Sequence, residues 1–132
     1  MKISSLIIRV AELERSIEFY SRVLGVEVAL RDTNLVLLTS ADGSQIYLHG
    51  QNSTRTTGRL GLHAATWTAE SEADLLAVES RLKELEAHRR TMKHDDYMIV
   101  EGRDPDGMAV LISYPGPSDS VRRTIISAVA TW

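Results

Sequence analysis

The sequence predicts an α+β fold made of two tandem βαβββ modules, and three observations carry that expectation. The order strand, helix, three short strands occurs twice along the 132 residues. An Asp-Gly pair, Asp42-Gly43 and then Asp106-Gly107, stands before the fourth strand of each copy. A polar, glycine-flanked stretch (GQNSTRTTGR, residues 50–59) separates the copies and reads as a linker. The length suits a single domain over 1–132. Within it, module 1 covers about 3–49, the linker 50–59, module 2 about 60–114, and a C-terminal helix about 118–132.

The elements follow in order. Residues 3–10 (ISSLIIRV) are β-branched and aliphatic and read as a strand. Residues 11–24 place Leu13, Ile17, Tyr20 and Leu24 at helical spacing, with Gly25 positioned to end the helix. Strands over 26–31, 34–39 and 45–49 follow, divided by the turn residues 32–34 and 41–43. The pattern then restarts with a strand at 60–68 and a helix at 70–88, whose apolar stripe is Leu75, Val78, Leu82 and Leu85. Strands near 90–93 and 97–101, the turn 104–107 and a last strand at 108–114 complete the second copy. Beyond Pro115-Gly116-Pro117, the residues Val121, Ile125, Val129 and Trp132 fall on one face of a helix. That stripe needs an apolar surface, either the chain's own sheet or a second subunit.

Composition narrows the function classes. A formal charge of −3 provides no basic footprint for nucleic acid and mildly favours a cationic ligand. The absence of cysteine removes disulfide frameworks, thiolate metal sites and cysteine nucleophiles. No apolar run approaches membrane-spanning length and the first residues lack an apolar leader, so a cytoplasmic protein with no membrane partner is expected. Phosphate-binding glycine loops and nucleophile elbows are likewise missing.

The run AELERSIEFYSRVLG at residues 11–25 resembles the helix signature of the vicinal-oxygen-chelate superfamily. That group comprises glyoxalases, bleomycin-resistance proteins and extradiol dioxygenases. The run RDPDG at 103–107 resembles the turn before the final strand in the same families. The resemblance covers residues 3–114. It implies a curved, barrel-like mixed sheet around a cavity, with the helices outside, and a homodimer. In the enzymes of the group it also implies a divalent metal held on the first and fourth strands of each module. Those four positions here are Ser5, Tyr47, His63 and Leu111, and only His63 is a good ligand. A displaced His49, His63 and Glu101 set is the alternative, but no metal or other cofactor is the preferred expectation.

Strand alternation places Leu6, Ile8 and Val10 under the first helix and Ser5, Ile7 and Arg9 on the concave face. The second module is expected to present His63, Ala65 and Trp67 there. The candidate ligand-binding residues are Arg9, Tyr47, His49, His63, Trp67, Tyr97, Glu101, Leu111 and Ser113. This mixture of aromatic walls and a few polar groups suits a small molecule. His63 and Glu101 are the candidate catalytic groups should the protein be an enzyme. Against these roles stand plainer ones: Trp67 as core filler, Arg9 and Glu101 as an internal ion pair, and His88 and His94 as solvated surface. The preferred function is metal-independent sequestration of an aromatic or cationic compound. The alternatives are a lyase, isomerase or dioxygenase with an atypical metal site around His63, and an interaction module whose cavity is filled.

Overall fold

The computed structural model describes residues 1–51 and 60–130, the side chain of Ala130 aside. Among the described residues, eight strands and three helices run in the order β1 (Lys2–Val10), α1 (Leu13–Leu24), β2 (Glu27–Asp32), β3 (Leu35–Thr39), β4 (Gln45–Gly50), β5 (Gly61–Thr68), α2 (Glu72–Glu84), β6 (His88–Lys93), β7 (Met98–Arg103), β8 (Ala109–Tyr114) and α3 (Asp119–Ala130). The fold is α+β, with βαβββ occurring twice and a third helix at the C-terminal end. Residues 52–59 and Trp132, which the sequence reading assigns to the linker and to the end of the apolar stripe, lie outside the described residues. Two compact units divide the chain. One comprises the described part of 5–63 together with the chain from Ile126, and the other comprises 1–4 and 64–125.

In the first unit, β2, β3 and β4 form an antiparallel meander and β4 pairs in parallel with β1. The register sets Ile7 beside Tyr47 and Arg9 beside His49 on β1 and β4. It sets Leu37 beside Tyr47 and Leu35 beside His49 on β3 and β4. Alternation then divides the faces. Val10, Val36, Leu38 and Leu48 form the core under α1, joined by Ile8, Leu13, Ile17 and Tyr20. Leu6, expected under the helix, is exposed and takes no part in the cluster under α1. Leu24, the last residue of the predicted stripe, is exposed as well, next to Gly25 in the left-handed conformation that ends α1.

The second unit repeats the plan. Strands β6, β7 and β8 are antiparallel and β8 pairs in parallel with β5. Helix α2 starts at Ser71, whose hydroxyl accepts from the Asp74 N–H, satisfying one of the donors a helix start leaves unpaired. It is shorter than the expected 70–88, so Leu85 is exposed and His88 lies on β6 rather than at a helix end. Leu75 is fully buried and packs with Met98, Val100 and Ile112, with Trp67, Val78 and Leu82 around them.

The two predicted turns are built alike. Gly43 donates its N–H to the Ser40 carbonyl, and Gly107 donates to the Asp104 carbonyl. In each turn the side-chain oxygen of the first residue also accepts a backbone N–H four residues on: Ser40 from Ser44 and Asp104 from Met108. Both glycines hold φ near +90°, which a residue with a Cβ adopts only under strain.

Candidate functional site

The polar residues of interest in the first unit lie on the sheet face opposite α1. Arg9 and His49 are neighbours in register on β1 and β4, and they are only 4% and 7% exposed. Fully buried Tyr47, Ile7 and Leu37 form the next row on the same face, and Ser5 and Gln45 the row beyond. His63, at the start of β5, brings a second imidazole, with its ring centroid 6.3 Å from that of His49 and steeply inclined to it. Arg9, Tyr47 and His49 therefore share one face of the sheet, and the His63 ring lies beside that of His49.

The electrostatics of this cluster are set by burial and by positive charge. Burial first, then the charges of Arg9 and His63, holds the His49 imidazole down to about 4. Nε of Arg9 and Nδ1 of His49 are buried with no hydrogen-bond partner among the described residues. Each of these atoms can present an N–H to an acceptor, Nδ1 in one of its two tautomers.

The other candidates belong to the second unit. Trp67 does not share a face with Glu101, Leu111 and Ser113. It pairs with Ile112 across β5 and β8 and packs in the core with Leu75 and Val100, so its role is the plainer one of core filler. Glu101, Leu111 and Ser113 lie on the face away from α2, where alternation sets them opposite Val100 and Ile112. All three are buried. Glu101 forms no pair with Arg9. Its carboxylate accepts from Arg90 Nε at 2.6 Å and meets Arg103 at 3.1 Å. Two guanidinium groups thus occupy the side chain considered as a proton shuttle. A register shift in β6 between His88 and Arg90 aligns Arg90 with Glu101, and nothing in the residue order foretold that irregularity.

Tyr97 sits outside the strands. Its hydroxyl is hydrogen-bonded to the Thr124 hydroxyl of α3, and its ring stacks on His94 with centroids 4.5 Å apart. His94, expected as solvated surface, is exposed and stacks there on Tyr97. His88 bonds through Nε2 to the Thr91 hydroxyl.

A divalent ion is what the fold family's enzymes would place on these strands, and the residues present do not suit one. His49 and His63 are the imidazole donors, and the permanently charged Arg9 lies beside His49. A fixed cation there opposes a second one. Ser5 and Leu111 are poor divalent ligands, and among the described residues no group of three or more His, Asp or Glu could hold a metal.

Comparison with known proteins decides the family. The model of the glyoxalase/bleomycin resistance protein/dioxygenase superfamily matches residues 2–112. The chain belongs to this superfamily. No curated protein matches it. Among solved structures it is similar to a glyoxalase/bleomycin resistance protein/dioxygenase superfamily member from Vibrio splendidus 12B01. That match has 17% identity and a TM-score of 0.61, covering 83% of this chain and 95% of that one. Methylmalonyl-CoA epimerase from Mycobacterium tuberculosis is similar at 17% identity and a TM-score of 0.61, with 91% of each chain covered. Homoprotocatechuate 2,3-dioxygenase from Arthrobacter globiformis gives 25% identity and a TM-score of 0.66, covering 86% of this chain and 36% of that one. Among the described residues no helix is long and apolar enough to cross a membrane.

Proposed function

We propose that this superfamily member binds and sequesters a small organic molecule without a metal ion. The observation that carries the reading is the Arg9–His49 pair: a guanidinium occupies the sheet face on which a divalent cation would have to sit. Arg9, Tyr47 and His49 on that face lie beside Ile7, Leu35 and Leu37, and such a mixture of polar groups and apolar walls is what orients a small molecule. The likeness to homoprotocatechuate 2,3-dioxygenase supports the second reading, an enzyme with an atypical metal site around His63.

Metal analysis of protein purified without chelators, paired with equilibrium binding of a panel of planar aromatic compounds, tests the proposal. Substoichiometric metal and saturable binding of at least one compound are expected. One divalent ion per chain, lost in His63→Ala, overturns the metal-free reading in favour of the enzyme.

A further inference from the structure

We propose that Arg9 and His49 form a recognition site for the carboxylate of a small organic acid. The proposal deepens the binding function above and rests on it. Its starting point is an uncompensated charge. Arg9 is 4% exposed, and among the described residues none of the ion pairs involves it. Residues 52–59 (NSTRTTGR) and 131–132 (TW) bring no acidic side chain either. A guanidinium remains protonated at every physiological pH, so the fold cannot relieve this burial by neutralising the group.

The same chain shows how it treats a buried charge that is structural. Glu101 is 2% exposed and is held by two arginines, at 2.6 and 3.1 Å. Among the described residues Arg9 has no such counterpart. Leaving one charge of a buried pair unmatched is strongly destabilising. Such an arrangement persists where a ligand supplies the missing charge. Two buried atoms able to donate, Arg9 Nε and His49 Nδ1, lie on strands paired in register and lack acceptors among the described residues.

The chemistry of the missing partner follows from these donors. A planar anion with two acceptor oxygens matches a guanidinium edge, and charge-assisted hydrogen bonds of this kind are the strong ones. Buried Ile7, Leu35 and Leu37 on the same face suit an apolar body attached to that head. The local field also reverses the expectation drawn from the net charge of −3, because the charge nearest the ligand outweighs charges spread over the surface. A cationic ligand would meet Arg9, and a carboxylate would complete it.

Thermal shift and calorimetric titration with sodium benzoate, benzyl alcohol and benzylammonium chloride, each against sodium chloride at matched ionic strength, test the site. Benzoate is expected to raise Tm by several degrees at saturation, as mass action requires of a ligand selective for the native state, while the neutral and cationic analogues do not. The benzoate response should vanish in Arg9→Met and weaken at least about tenfold in His49→Gln, the scale of one charge-assisted hydrogen bond. Ligand-free Arg9→Met should melt at or above the wild-type temperature, since the substitution removes an unmatched charge and keeps an apolar side chain of similar length. Stabilisation by benzylammonium or benzyl alcohol in place of benzoate overturns the carboxylate assignment and leaves the binding function standing. Silence towards all three overturns the assignment and counts against the binding function too. Retention of the benzoate response in both variants also overturns it, as does an Arg9→Met protein that melts far below wild type, because Arg9 would then be structural.

Discussion

A histidine that is 7% exposed and lies beside an arginine makes the protein's stability depend on pH. In the unfolded chain the His49 imidazole titrates near 6.5, and in the folded one near 4, through burial and the neighbouring charges of Arg9 and His63. Between those values the unfolded state binds a proton that the native state refuses. Stability is therefore complete above about pH 6.5 and falls as pH drops towards 4, by on the order of 3 kcal/mol for this one group. Urea unfolding at pH 7.5, 5.5 and 4.5 should show the decline, and His49→Gln should remove most of it. An equally steep decline in the variant would assign the effect to other groups. Much of this site was legible in the sequence: alternation along β1 and β4 put Arg9, Tyr47 and His49 on one face. The same rule failed for Trp67, which shares its face with the core under α2; for Glu101 it gave the face but not the partners, which depend on a β6 irregularity. The partners of Glu101 depend on strand register, which residue type alone does not set.

At the scale of elements, the internal repeat survives better in turn chemistry than in residue identity. Ser40 and Asp104 differ as residues, yet each caps its turn with a side-chain oxygen, and each turn needs a glycine at the same place. A Cβ added at Gly43 or Gly107 would meet nothing within 4 Å, so the cost of substitution comes from the backbone conformation alone. Gly43→Ala and Gly107→Ala should each destabilise by about 1–2 kcal/mol, with no change in ligand response. Chemical denaturation measures this, and a loss much greater at one site than the other would show that the two turns are not equivalent. The element order was readable because apolar spacing changes from helix to strand period at Gly- and Asp-rich turns. The helix ends were not. Leu24 and Leu85 continue their stripes in sequence, but each is exposed at the limit of its helix.

At the scale of the whole molecule, α3 contributes to both compact units: residues up to Ile125 belong with one and residues from Ile126 with the other. The described residues of its apolar stripe, which the sequence left open between the chain's own sheet and a second subunit, are buried within the single chain. Val121 and Val129 are fully buried, and Ile125, Ile126 and Ala128 nearly so. The size of the contribution can be bounded. Burying each of the four larger side chains is worth about 1.5–3 kcal/mol, so together they supply roughly 6–12 kcal/mol as an upper estimate. A domain of this size is stable by only about 5–15 kcal/mol in total. Removing residues 118–132 should consequently abolish cooperative thermal unfolding, not merely lower Tm, and should expose apolar surface that binds a hydrophobic dye. Circular dichroism melts and dye fluorescence on the truncated chain check this. A truncated protein that keeps a sharp transition within a few degrees of the full chain would show that burial of α3 contributes little to stability.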